Sequence, residues 1–175
     1  MKNVTFHGQL SQKEYTLFLL FHTRKSLFTT SIPLFLLLFI FLVLMDMVNV
    51  YSLSWLGILS WSLILTLVYY VLAMCKLYLS AKKSYQTDPY TKRSNTYSIN
   101  EEFMFQQNDR AEAKHIWTDM HRVFEFADMF ILYLAPRRAL VLPHRFFESN
   151  KDKQAFEEIL KQRVNKDQLH LKNHS

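Results

Sequence analysis

Residues 34–45 read Leu-Phe-Leu-Leu-Leu-Phe-Ile-Phe-Leu-Val-Leu-Met, with no polar side chain among them, and a second, mostly apolar stretch runs from 53 to 79. A hydrocarbon core of about 30 Å takes roughly 20 helical residues at about 1.5 Å rise each. The second stretch has that length by itself, and the first reaches it once residues 28–32 are included. The pair therefore predicts a two-helix transmembrane hairpin at residues 28–83, with spans of about 28–48 and 53–79, and makes the lipid bilayer the first partner of this chain.

A mean hydropathy of -0.05 hides this, because it averages an apolar first half with a polar second half. Residues 1–83 carry 7 Lys or Arg and 2 acidic residues, and residues 84–175 carry 14 and 13, so the net charge of +6 divides as +5 and +1. A pI near 9.4 would suggest nucleic acid. The surplus, however, sits beside the spans, where bilayer topology accounts for it, and no nucleic-acid partner is expected.

Arg24 and Lys25 precede the first span; Lys76, Lys82, Lys83, Lys92 and Arg93 close or follow the second; the link between them holds no basic residue. Basic residues near span ends stay on the cytoplasmic side. The expected localisation is the cell membrane, with two passes, both termini cytoplasmic and the short link outside. The first apolar segment is too long for a signal-peptide core and lacks a small-residue cleavage site, so it is expected to stay in the chain. Cys75, the single cysteine, lies inside the second span and reads as a small apolar residue. Asp46 follows the apolar run and marks a span boundary. Tyr51, Trp55, Trp61, Tyr69, Tyr70 and Tyr78 include residues near both ends of the second span, where rings sit at headgroup level, with Trp61 deeper, and Ser54, Gly57 and Ser60 give a small-residue face for helix approach.

Residues 1–27 read as a strand and an interfacial helix. Ser11 and Glu14 have capping-box spacing, which predicts a helix from about Gln12 that either lies on the inner leaflet or feeds the first span. Residues 3–8 alternate in polarity as a short strand. A lone strand is unstable, so it should join strands encoded after the spans.

Residues 84–165 form the expected cytoplasmic domain, with 166–175 as a tail. The polar stretch around Pro89 ends the membrane helix. Strand-like runs follow at 96–99, 103–107, 113–117, 122–126, 129–134 and 139–142, with turn signals at Asn108–Asp109, Ala127–Asp128 and Pro136–Arg138. Asn150, Lys151 and Asp152 then open a helix in which Phe156, Ile159, Leu160 and Val164 recur at helical spacing and Glu157 can pair with Lys161. These short strands closed by one helix make a small curved sheet or half-barrel with a lid. The fold class is membrane α+β.

The order Ile116-Trp117, Met120, Val123, then Phe130-Ile131-Leu132-Tyr133, then Val141-Leu142-Pro143-His144-Arg145-Phe146-Phe147 and a closing helix resembles the YcxB-like C-terminal domain of bacterial membrane proteins. The resemblance covers residues 95–163, and the two preceding spans match as well. It implies a pleckstrin-homology-like module on a membrane hairpin. His144 stands where that family usually has Lys, which weakens a phosphate-binding role for the basic pair.

Two glycines, Gly8 and Gly57, leave no Gly-rich phosphate loop. His170 and His174 lie in the tail with i,i+4 spacing but no further ligands nearby, so no metal and no cofactor is expected. His115, His121 and His144 read as ordinary surface or core histidines, Glu125 and Asp128 as solvated hairpin charges, and Trp117, Phe130 and Tyr133 as core aromatics. Arg137, Arg138 and Arg145 are the candidate lipid- or partner-binding residues, because clustered guanidinium groups meet anionic headgroups. The function expected from sequence is a non-enzymatic, membrane-anchored interaction module for a protein, peptide or lipid ligand. The alternative is an immunity protein against a membrane-active peptide toxin.

Overall fold

A computed structural model of the chain describes residues 4–50, 52, 54–88 and 92–172. Asn3, Tyr51, Leu53, Pro89 and His174 lie outside the described residues. The chain divides into two units, Met1–Tyr15 with Tyr85–Ser175, and Thr16–Ser84.

Two helices dominate the second unit. The reciprocal capping box forms as spaced: Ser11 N–H donates to Glu14 Oε2 at 2.7 Å and Glu14 N–H to Ser11 Oγ at 3.3 Å. It starts helix α1 (Gln12–Met47), which runs unbroken for 36 residues through Pro33. The approach helix and the first apolar run are thus one element. Helix α2 (Trp55–Thr87) returns after a short link in which Asn49 takes a left-handed φ of 59°.

Both helices are long and apolar enough to cross a membrane, with windows of mean hydropathy 2.6 and 2.0 of which 0% and 11% are buried. Their hydroxyls bond back to their own helices: Ser31 Oγ to Leu27 O at 2.8 Å, Ser62 Oγ to Ile58 O at 2.8 Å, and Thr66 Oγ1 to Ser62 O at 2.8 Å. The less exposed positions recur every three or four residues, at Ser31, Leu34, Leu38 and Leu42 on α1 and at Ile58, Ser62, Thr66, Tyr70, Ala73 and Leu77 on α2. These stripes are the facing sides of the hairpin, and Phe39 and Trp55 meet with ring centroids 6.5 Å apart. The seam follows Ile58 and Ser62; Ser54 and Ser60, expected there, are exposed.

Among the described residues the first unit holds eight strands in two sheets, where the sequence suggested one curved sheet or half-barrel. Strands β1 (Val4–Gly8), β2 (Asn95–Ile99), β3 (Phe103–Gln107) and β4 (Glu112–Ile116) form an antiparallel sheet in that order. The N-terminal strand finds its partner across the whole hairpin: Val4 pairs with Ile99, and Gly8 with Asn95. The second sheet has the order β7-β6-β5-β8, from β5 (Arg122–Phe126), β6 (Met129–Ala135), β7 (Arg138–Pro143) and β8 (Leu169–His170). Ala127 and Asp128, with φ of 47° and 60°, make the tight β5–β6 turn whose double left-handed geometry matches strand twist. Within the expected tail, β8 pairs parallel with β5, and the His170 ring stacks on Phe124 at 4.7 Å.

The core lies between the sheets and under helix α3 (Asn150–Arg163), whose N-cap Ser149 Oγ accepts from Asp152 N–H at 3.2 Å. Phe6, Met104, Trp117, Phe130, Leu132, Leu142, Phe156 and Leu160 are each 2% exposed or less. Trp117 opens a single 3-10 turn after β4, and its Nε1–H donates to Asn100 O at 2.9 Å, so a large apolar ring is buried with its one donor satisfied. In β6 the alternation disappears, because Met129, Phe130, Ile131 and Leu132 are all at 0–1% exposure.

Gly8 fixes the approach of β1 to the rest. A Cβ there would stand 2.1 Å from Phe146 Cδ1, so the ring rests on bare backbone. Phe6 on the same strand packs against Phe147 with centroids 4.5 Å apart.

Trp117→Ala should cost about 3–5 kcal/mol through lost burial and the cavity left behind, and Gly8→Ala about 1–3 kcal/mol through overpacking against Phe146. Thermal melts of the full chain in detergent check both. A fragment starting at residue 84 lacks β1 and should melt without cooperativity; joining residues 1–11 to its N terminus by a flexible linker should restore a cooperative transition.

Candidate functional site

Strand β7 decides what becomes of the three candidate arginines. Arg137 and Arg138 lie together, exposed, at the β6–β7 turn, whereas Arg145 follows the far end of the strand. Seven residues at about 3.3 Å each put Arg145 roughly 20 Å away. The expected cluster of three is therefore a pair plus a separate residue.

Arg145 is already engaged. It sits in the single 3-10 turn His144–Phe146, and since Phe146 rests on Gly8, the neighbouring guanidinium reaches residues 9–14. Its Nε–H donates to Glu14 Oε1 at 2.7 Å, and its Nη2–H donates to Glu14 Oε2 at 2.8 Å and to Gln9 O at 2.5 Å. This two-pronged geometry suits a planar fork on a carboxylate. Burial acts to raise the Glu14 pKa, but Arg145 and the two Ser11 bonds outweigh it and hold the carboxyl below its ordinary value. Nearby, Tyr85 OH donates to Leu10 O at 2.7 Å, and the Tyr15 and Tyr85 rings lie 5.9 Å apart. The first turn of α1 and the last turn of α2 are thus fastened together beside β1. The capping box is legible in sequence, but a partner 131 residues away is not.

Glu125 carries the clearest departure from expectation. It is not a solvated hairpin charge, because its side chain is 1% exposed. Parity explains this: Val123 and Glu125 share the inner face of β5, where Glu125 pairs across to Phe130. Its Oε2 accepts the Lys172 backbone N–H at 3.0 Å, which pins the segment after β8. Its Oε1 lies 3.4 Å from His144 Nε2, and that buried nitrogen makes no hydrogen bond among the described residues. Lys153 and Glu157 of α3 pair at 3.5 Å, in place of the expected Glu157–Lys161 pair. Burial first, and the Lys153 charge second, push the His144 pKa down, against the opposing pull of Glu125, Asp128 and Glu157. The imidazole is accordingly neutral near pH 7, so its contact with Glu125 is no formal ion pair.

A second polar group sits on the inner face of the first sheet. Asn95 Oδ1 accepts from Gln106 Nε2 at 3.0 Å and Asn108 Nδ2 at 3.2 Å, and His115 Nε2 is 3.4 Å from Gln106 Oε1. Burial, then the charge of Arg138, push the His115 pKa down. The three histidines do not converge: His115 belongs to this network, His144 packs against Phe130 at 4.7 Å, and His121 is exposed. Among the described residues, no three His, Cys, Asp or Glu gather as metal ligands. Trp117, Phe130 and Tyr133 are buried rather than lining a groove. Carboxylates, imidazoles, amides and an ammonium in such settings fix register and hold charge between the sheets.

Residues 99–160 match a family model described as YcxB-like protein. The match begins at the end of β2, ends inside α3, and leaves out β1, both long helices and β8. The chain is also similar to the uncharacterized protein YcxB of Bacillus subtilis (strain 168), at 21% identity over 98 residues, 56% of this chain and 53% of that protein. The chain thus spans about half the length of the curated relative it matches. No solved structure matches. The chain carries a YcxB-like domain.

Arg145→Gln should lower the melting temperature, because it leaves Glu14 without its fork, whereas Arg137→Gln with Arg138→Gln should change stability by less than about 1 kcal/mol. The pH dependence has a fixed sign. His144 and His115 hold protons less tightly in the folded chain than in the unfolded one, where imidazoles titrate near about 6.5. The unfolded state binds more protons in that range, so stability should be full above about pH 6.5 and fall as the pH drops. Melts between about pH 7.5 and about pH 5.5 should show the decline, and His144→Gln should flatten part of it.

Proposed function

We propose that this YcxB-like protein is a membrane-anchored, non-enzymatic interaction module, in which the hairpin of α1 and α2 spans the cell membrane and the two-sheet unit is presented in the cytoplasm. The observation that carries the anchoring is the uncovered apolar surface of the helices. Windows of hydropathy 2.6 and 2.0, with 0% and 11% of their residues buried, would leave far more apolar surface in water than a soluble monomer tolerates. In hydrocarbon the same surface is matched to its solvent, and the helix hydroxyls already bond within their own helices.

The two-sheet unit reads as a pleckstrin-homology-like module: an antiparallel meander folded into two packed sheets, with a C-terminal helix over the core. Its ligand would be a protein, peptide or lipid, met at the exposed Arg137–Arg138 turn. Arg145 is left out of that contact because Glu14 and Gln9 take three of its five N–H donors and fix its charge on a carboxylate. The Glu125–His144 pair supports an interaction role over catalysis, since its partners are core aromatics, charged side chains of α3 and the Lys172 backbone.

The charge pattern beside the spans supports an orientation with both termini in the cytoplasm. A single cysteine introduced at Asn49 in a Cys75→Ala background should react with an impermeant maleimide in intact cells, and a tag after Ser175 should be reached only after permeabilisation. The reverse labelling pattern would put the two-sheet unit outside, and loss of the protein from membranes in alkaline carbonate would remove the anchoring altogether.

A further inference from the structure

Counting along the hairpin from its link brings three cations to one level. Lys25 lies 22 residues before the end of α1 at Met47, and Lys76 lies 21 residues after the start of α2 at Trp55. At about 1.5 Å per residue these are about 33 Å and about 32 Å from the link, and Arg24 is one residue beyond Lys25. That distance is close to one hydrocarbon thickness. Between this level and the link, Asp46 is the only charged side chain on either helix, and it stands one residue from the end of α1. The three cations therefore mark where charge resumes on both helices together.

The belt is built to stay open. Arg24, Lys25 and Lys76 are all exposed. The Arg24 guanidinium lies 4.1 Å from the centroid of the buried Phe21 ring, a cation–π contact that leaves the charge itself without an anionic partner among the described residues. Arg24 stands seven residues, about two turns, before Ser31 of the α1 stripe, and Lys76 directly precedes Leu77 of the α2 stripe. The one acidic residue on α1 before Asp46 is Glu14, and Arg145 neutralises it. Tyr78 lies two residues beyond Lys76 on α2, as rings do at a headgroup layer.

We propose that Arg24, Lys25 and Lys76 form a binding belt for the phosphate of anionic phospholipid headgroups at the cytoplasmic end of the hairpin seam. The proposal rests on the membrane-spanning reading, and of that reading's possible ligands it assigns the lipid to the helices and leaves the Arg137–Arg138 turn to a protein or peptide. A zwitterionic headgroup brings its own cation to the belt, whereas an anionic one meets three uncompensated positive charges, each contributing about fivefold in affinity near the surface.

The full chain in mild-detergent micelles doped with equal phosphatidylglycerol and phosphatidylcholine should retain phosphatidylglycerol preferentially, read as bound-lipid mass in native mass spectrometry. R24Q/K25Q/K76Q should reduce that preference by on the order of tenfold or more, while R24K/K25R/K76R and R137Q/R138Q should keep it. Should the triple neutralisation fail to insert, R24Q and K76Q singly should each reduce the preference several-fold. Equal retention of both lipids by the parent chain overturns the proposal, as does loss of the preference in R137Q/R138Q with the helix variants unaffected. Alkaline carbonate extraction of the parent chain tells the two readings apart: a chain that resists extraction yet shows no lipid preference sinks the belt alone, and one that is extracted sinks the anchoring itself.

Discussion

The seat of β1 on the body of the two-sheet unit is the constraint from which the rest follows. Phe146 lies on Gly8 where no side chain would fit, Phe6 packs into Phe147 and Phe156, and the adjoining residues Gln9 and Glu14 hold Arg145. The chain makes one strand, leaves for two long helices, and returns to pair that strand with β2. Closing so large a loop costs conformational entropy that grows slowly with length. A rigid antiparallel hairpin lowers that cost further, because α2 brings the chain back beside the start of α1, where Tyr15 meets Tyr85.

That arrangement gives capping a second use. Ser11 and Glu14 would stabilise a helix start anywhere, but here Glu14 also receives the Arg145 fork, so a local signal at the head of α1 is locked to a turn in the second half of the chain. The net effect couples helix order to sheet order. A change that loosens either end, Gly8 or Arg145, is felt by both elements.

Buried charge is the other expense of the fold. Glu125 stands on an apolar face, and its penalty is offset by the hydrogen bond from the Lys172 N–H. What the protein gains is order in residues 169–172, since their backbone is fixed by a carboxylate that has no water to turn to. The neutral His144 beside it makes the stability of the unit fall with acid.

Local pattern made the helices, their starts and most strand positions legible: the apolar runs, the Ser11–Glu14 box, the Ala127–Asp128 turn, the amphipathic α3 and the burial of Trp117 all follow from spacing and residue type. The need of residues 4–8 for a partner was legible too, since no strand stands alone. Which strand they join, the split into two sheets and the pairing of 169–170 with β5 were not, because these are choices between distant segments of similar local character. Of the candidate site, the residue types were readable and their grouping was not: Arg138 and Arg145 look adjacent along the chain, and a strand between them carries them apart. Sequence determined what each segment could become, through periodicity and turn chemistry. Only tertiary structure decided that Glu125 faces inward, that Arg145 belongs to Glu14, and that the first strand belongs to the last domain, because burial and long-range pairing are properties of the packed chain as a whole.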